Sequence, residues 1–183
     1  MVNDLQPMLI TETNRPILKS PKEMAIKECD AITASVFNSM YHSRLPNIHP
    51  SNITRNTHYI CFLAYSGVVN YAVAIWSTPV AANRFKDGNK LLELRRMAIA
   101  PEAPFNTASW MLSRMIKIIK QKFPDIIKLI SYQDTEVHLG TIYKASNWYI
   151  GAQTQFVSWN NRERNKPQSQ AAKIRWEYLV KKG

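Results

Sequence analysis

The spacing of apolar positions along the 183-residue chain changes several times, and each change marks a predicted element. Ser20-Pro21-Lys22-Glu23 reads as a helix start, with a capping serine, a first-turn proline and a glutamate that completes a capping box. The helix is expected to run to about Met40, with Met24, Ile26, Ala31, Ile32 and Val36 on its buried side. The stretch YHSRLPNIHPSNITRN is polar and punctuated by proline, so it reads as loop. HYICFLAY and VVNYAVAIW read as strands joined at Ser66-Gly67, a compact hairpin turn. After the irregular STPVAANRFKDGNK comes another strand, LLELRRMAIA. Pro101 and Pro104 then break the chain before Asn106, a predicted cap for a helix reaching about Phe123. Ala108, Met111, Leu112, Met115, Ile119 and Phe123 give that helix its apolar stripe. Arg114, Lys117 and Lys120, spaced by threes, share its exposed face. IIKLISY is a predicted strand, GTIYKASNW a short helix, and GAQTQFVSW and KIRWEYLV two further strands.

This order predicts an α/β (α+β) fold: one mixed sheet flanked by helices, in a single domain spanning residues 1–183. Its best-supported part is residues 20–155. Residues 160–172, within NNRERNKPQSQAA, are expected to form a mobile basic segment. A chain of this size can bury roughly 70% of its unfolded surface in one core.

Charge adds a functional direction. Lys and Arg number 24 against 13 acidic residues, a formal net charge of +11 that points to a polyanionic partner, above all nucleic acid. The plainer alternative is a solubilising surface. No apolar run approaches the roughly 20 residues of a spanning helix, and the first residues lack a signal-peptide pattern, so a cytoplasmic protein without membrane contact is expected. Cys29 and Cys61 lack metal-type spacing and are expected to be buried free thiols.

The element order is also that of the N-acetyltransferase-like (GNAT) fold, in which an acyl donor sits where the central strand meets the main helix. Here that junction is LLELRRMAIA followed by NTASWMLSRMIKIIK. Within it and after it, ELRRMAIA, Asn106-Thr107-Ala108-Ser109, SYQD and HLGTIYKASNW resemble the Mom family of bacteriophage DNA-modification proteins. The resemblance covers roughly residues 20–155 and is densest from Glu93 to Trp148. It implies a GNAT-like enzyme that converts adenine in duplex DNA to N6-carbamoylmethyladenine, protecting phage DNA from restriction. It further implies roles for Arg96, Ser109, Asp134 and Tyr143, and a site contribution from Tyr41-His42-Ser43-Arg44-Leu45-Pro46. In that loop the family's histidine–tyrosine order is reversed, leaving open which of Tyr41 and His42 faces the site.

With the resemblance in place, Asp134, Tyr143, His42, Tyr41 and Ser43 become the catalytic candidates. Asp134 ends a strand, where a carboxylate could orient the adenine amino group or take its proton; its alternative role is a helix cap. Tyr143 could protonate a leaving group, or simply pack. His138 reads as a structural hydrogen-bonding residue more readily than as a proton carrier. Arg96, Asn106 and Ser109 are the donor-binding candidates. A duplex adenine must be flipped and stacked, which nominates Trp148 and Tyr132, with Tyr149 and Trp159 behind them. Arg44, Arg114, Lys117, Lys120, Arg162, Arg164 and Lys166 are candidate phosphate contacts, or a solvated basic face. His42, Asp134 and a tyrosine could hold a transition ion, and iron has been proposed in the family. No clustered spacing supports a metal, so none is expected.

The donor is an activated acyl group of open identity. APEAPFNTAS contains no glycine, so the diphosphate-cradling turn of coenzyme A-dependent GNAT enzymes has no counterpart here, although the helix start could still meet a phosphate. An N6-glycyl group and an N6-carbamoylmethyl group are isomers, which makes glycyl-tRNA a donor to set beside acetyl-CoA. Double-stranded DNA is the expected partner, with tRNA and a second copy of the chain as further candidates. The competing functions are a GNAT acetyltransferase acting on another substrate with acetyl-CoA, a DNA-binding module without activity, and an adenine methyltransferase. The last lacks its glycine-rich loop and its D/N-P-P-Y/F/W run in this sequence.

Overall fold

The computed structural model describes residues 16–42, 47–79, 90–135, 139–154 and 173–180. Within them the expected capping box forms. Glu23 Oε1 accepts from the Ser20 N–H at 2.8 Å, and Ser20 Oγ accepts from the Lys22 N–H at 3.3 Å. It caps only a 3-10 turn, Pro21–Glu23, and not a long helix. The chain then extends into strand β1, Ala25–Cys29, before Asp30 caps helix α1, Ala31–Tyr41, by accepting from the Thr33 N–H at 2.8 Å. The predicted helix over 20–40 is therefore three elements. Ala-Ile-Lys-Glu-Cys is too short to distinguish a period of 2 from 3.6, and antiparallel pairing with the next strand decides it.

That division rotates α1. Its buried side is Ala31, Ala34, Ser35, Phe37 and Asn38, while Ile32, Val36 and Met40 are 65%, 55% and 58% exposed. Ile32 and Val36, expected inside, are outside. The loop after α1 contains a further short helix, α2, Pro50–Thr54, capped by His49. Strands β2, Tyr59–Ser66, and β3, Val69–Ser77, form the predicted hairpin, turning at Gly67 with φ +57°. Strand β4 is Leu91–Ile99, and helix α3 is Thr107–Lys122. Strand β5, Lys128–Asp134, short helix α4, Thr141–Lys144, and strands β6, Tyr149–Thr154, and β7, Lys173–Leu179, complete the set.

The strands form one seven-stranded sheet in the order β1-β2-β3-β4-β5-β7-β6. Only β4 and β5 run parallel; the other pairs are antiparallel. Each face carries its own core. Met111, Leu112, Met115, Ile116 and Ile119 of α3 pack with Phe62, Trp76, Leu92, Leu94 and Leu129 on one face. Ala31, Ala34 and Phe37 of α1, with Ile53 of α2, pack with Cys61, Val73, Ile75 and Ala98 on the other. At roughly 1.5–3 kcal/mol for each fully buried large aliphatic or aromatic side chain, these two cores are the main stabilising contribution. Among the described residues no helix is long and apolar enough to cross a membrane.

Two irregularities in β4 prepare a site. Its ladder with β5 stops at Leu94↔Ser131, yet β4 continues against β3 to Ile99 and β5 continues against β7 to Asp134. The sheet therefore opens between the carboxyl ends of its two parallel strands, where ligands bind in open α/β sheets. The β3 register also jumps from Ile75↔Arg96 to Trp76↔Leu94, so Arg95 is an extra, bulged residue.

Candidate active site

Side-chain alternation sorts the predicted site residues between the two faces. On β5, Leu129 belongs to the α3-side core, and Ser131 and Gln133 point the same way. Tyr132 and Asp134 therefore point to the α1 side, both half-buried. On β4, Ala98 belongs to the α1-side core, which places Arg96 on that face too. Cross-strand partners share a face, so Lys173 lies beside Asp134 and Arg175 beside Tyr132. The α1 side of the opening is thus bordered by Arg96, Tyr132, Asp134, Lys173 and Arg175.

Tyr41 ends α1 and His42 is its C-cap, with the His42 N–H donating to Asn38 O at 2.9 Å. The Tyr41 ring lies 4.6 Å from that of Phe37, packs against the α1-side core and lines a groove with Val68, Val69 and Asn70. Ser43, Arg44, His138, Trp159, Arg162, Arg164 and Lys166, and the basic segment 160–172, lie outside the described residues.

Tyr143 is placed differently. Its hydroxyl shares a buried 2.8 Å hydrogen bond with Ser131 Oγ, and its ring stacks on Trp176 at 5.3 Å. Burial raises its pKa above the usual tyrosine value, partly opposed by the Ser131 bond. Because Ser131 and Asp134 point to opposite faces of β5, the structure does not bring Asp134 and Tyr143 together. Trp148 is 4% exposed, enclosed by Trp76, Tyr143 and Tyr178 at ring separations of 6.3, 5.6 and 5.9 Å. A stacking platform needs an open ring face, and Trp148 presents none; it is core. Tyr132, at the opening, keeps its place among the platform candidates. Tyr149 lies on β6, 42% exposed, with its hydroxyl donating to Glu177 Oε2 at 3.3 Å.

The predicted donor residues lie at the start of α3. Asn106 occupies the N-cap position in the left-handed region, φ +68°, and its side chain makes no capping bond. Ser109 Oγ donates to Asn106 O at 3.1 Å, and Ser146 Oγ donates to Ser109 O at 3.1 Å, fastening the end of α4 to the first turn of α3. Pro101 and Pro104 offer no N–H. The Ala103 and Thr107 N–H groups are spent on Ala100 O and Pro104 O, and Glu102 adds a carboxylate. The loop therefore offers fewer free N–H groups to a diphosphate than a glycine-rich turn does. The α3 start fits a single phosphate, through its first-turn amides and dipole.

Arg114, Lys117 and Lys120 are exposed, as expected, but α3 covers the face opposite Arg96, Tyr132 and Asp134. Electrostatics on the site's own side was missed in the sequence. The Arg96 guanidinium is lowered to about 10 by burial and by neighbouring Arg95, with Glu93 opposing, and still carries its charge at neutral pH. Two adjacent arginines in a strand ordinarily point to opposite faces; only the unforeseeable bulge puts both on one. A groove of about 780 Å3 lies at the other end of the sheet, lined by Cys29, Asp30, His58, Cys61, Lys122 and Phe123. It is the poorer candidate. Burial pushes both thiols up to about 12, and Lys122 is paired with Glu28. Among the described residues no group of three or more His, Cys, Asp or Glu could hold a metal, so His42 and Asp134 gain no third such ligand there.

Solved structures share this architecture. The ribosomal-protein-S18-alanine N-acetyltransferase from Escherichia coli superposes with a TM-score of 0.61 at 10% identity, over 87% of this chain and 96% of that one. An acetyltransferase of the GNAT family from Streptococcus pneumoniae gives 0.60 at 10%, over 86% and 99%. A Bacillus subtilis acetyltransferase in complex with CoA gives 0.54 at 9%, over 85% and 98%. At these identities the likeness establishes the GNAT fold. No curated protein matches the sequence. A model of the Mom protein family matches residues 33–180, a span that contains the bulge, the opening and most of both cores, and the chain belongs to that family.

Proposed function

We propose that the protein modifies N6 of adenine in duplex DNA, giving N6-carbamoylmethyladenine and so protecting the DNA from restriction. The observation that carries the reading is the family match over residues 33–180. The net charge of +11 and the cationic border of the β4–β5 opening support it.

In this reading the flipped adenine enters the opening from the α1 side and stacks on Tyr132. Asp134 accepts the N6 proton as N6 attacks the donor carbonyl. Because the Tyr41 ring is committed to Phe37 and its groove, His42 is the imidazole to consider for proton transfer. The loop before α3 is poor in the glycine that favours coenzyme A, and the isomerism of the N6-glycyl and N6-carbamoylmethyl groups points to a glycyl ester of tRNA as the donor. N6 forms the new bond to the glycyl carbonyl carbon, the ester C–O bond breaks, and the tRNA hydroxyl leaves with the proton held by Asp134. The glycyl amine then attacks C6 of the ring and the original C6–N6 bond breaks. That leaves the amine nitrogen on the ring and the former N6 as the terminal amide.

Mass spectrometry of nucleosides from the DNA of expressing cells tests the product. Carbamoylmethylated adenine supports the reading; methylated or unmodified adenine overturns it. Isotope-labelled glycine tests the donor, and an unlabelled side chain would sink that part.

A further inference from the structure

The bulge in β4 inserts Arg95 between Leu94, in the α3-side core, and Arg96, which points to the α1 side. Arg95 is turned to the α1 side as well: its Nη1 donates to Ser77 Oγ at 3.0 Å, and Ser77 is the register partner of Glu93. Arg96 Nη1 donates to the Arg95 carbonyl at 2.6 Å, holding the two side chains to one short stretch of strand. A third guanidinium comes from α2. Ile53 packs in the same core as Ile75, the partner of Arg96, and Arg55 follows two residues later as the C-cap. Burial lowers the Arg95 guanidinium from its ordinary value; Glu93 works against that shift and Arg55 adds to it. Two half-buried guanidiniums thus share one short stretch of strand with the carboxylate of Glu93, and the exposed Arg55 adds positive charge at its edge. Two partly desolvated guanidiniums beside one carboxylate leave a net positive charge, and the guanidinium fork matches phosphate.

We propose that Arg55, Arg95 and Arg96 form a phosphate-binding site for the backbone of the nucleic acid whose base enters the β4–β5 opening. The site rests on the reading of the protein as a DNA-modifying enzyme, and adds where the duplex is held. It lies on the same face of the sheet as Tyr132 and Asp134, whereas Arg114, Lys117 and Lys120 lie on the other. A duplex anchored here can present a base to Asp134 without wrapping around α3.

The test is the salt dependence of duplex binding, read by fluorescence anisotropy, for the full chain and for Arg55→Gln, Arg95→Gln and Lys117→Gln. Arg55 is exposed at a helix end, so its variant keeps the test open even if Arg95→Gln does not fold. Each arginine variant should flatten the log–log slope by about 0.9, with Lys117→Gln unchanged. Unchanged slopes for both arginine variants, or a flattened slope for Lys117→Gln alone, overturn the site while the function reading stands. A full chain that binds no duplex defeats both. Inorganic diphosphate, titrated in parallel, separates the source of the anion. Lost diphosphate affinity with an unchanged DNA slope would assign the arginines to the donor and overturn the proposal.

Discussion

Gly140 shows how a single residue holds the HLGTIYKASNW stretch in place. Its φ is +71°, and a Cβ there would come within 2.5 Å of Gln133 Oε1 and 2.7 Å of the Trp176 ring. Those two groups are themselves joined, Trp176 Nε1 donating to Gln133 Oε1 at 2.6 Å in a buried position. Gly140→Ala therefore meets backbone strain and a clash together, and should destabilise the protein by about 1–3 kcal/mol, read as a lowered denaturation midpoint. Glu177 is a second fixed point, accepting from Lys128 at 3.0 Å and Arg175 at 2.6 Å. Burial pushes its carboxyl up, but the two cations outweigh burial and hold it below the usual glutamate value. With the folded pKa depressed, its contribution is present above the unfolded value of about 4.3 and is lost as pH falls through the folded one. Glu177→Gln should remove that part of the acid dependence, measured as stability against pH. Cys29 and Cys61, directly opposed across β1 and β2 and pushed up to about 12, should resist alkylation at neutral pH while the protein is folded.

At the scale of elements, α1 separates what the sequence reveals from what pairing decides. The alternation of β2 and β3, the stripe of α3 and the glycine-led α4 were all legible, because each has a period or a turn that local chemistry fixes. The capping box at Ser20 was legible too, but the strand directly after it was not. Whether Ala25–Cys29 continues a helix or pairs with β2 depends on a strand more than 30 residues away. The consequence is measurable. Phe37→Ala removes a ring from the α1-side core and should cost about 3–5 kcal/mol. Val36→Ala, at an exposed position beside it, should stay within about 0.5 kcal/mol. The reverse ranking would restore the 20–40 helix. The site was legible in part for the same reason. Asp134 and Arg96 are candidates from motif resemblance, but the face each occupies follows from a bulge and a broken ladder, and neither leaves a residue signature. Trp148, read as a platform, proved to be core, since an aromatic residue after a short helix looks the same in either role.

At the scale of the whole molecule, the sheet divides the chain into an α3 side and an α1 side, each with its own core. α3, α4, Tyr143 and Trp148 belong to the first; Arg95, Arg96, Tyr132, Asp134 and Lys173 belong to the second. In the proposed function the net charge of +11 draws the duplex in, and the arginines at the bulge hold it near the opening. The proposed function has adenine modified on the α1 side of the sheet. Its most direct test is the yield of carbamoylmethylated adenine in DNA from cells expressing the full chain, Asp134→Ala or Lys120→Gln, each checked for an unchanged melting temperature. Abundant product is expected with the full chain and with Lys120→Gln, and at least a hundredfold less with Asp134→Ala, the order of loss expected when a positioned base is removed. Full product with Asp134→Ala would contradict the proposed function.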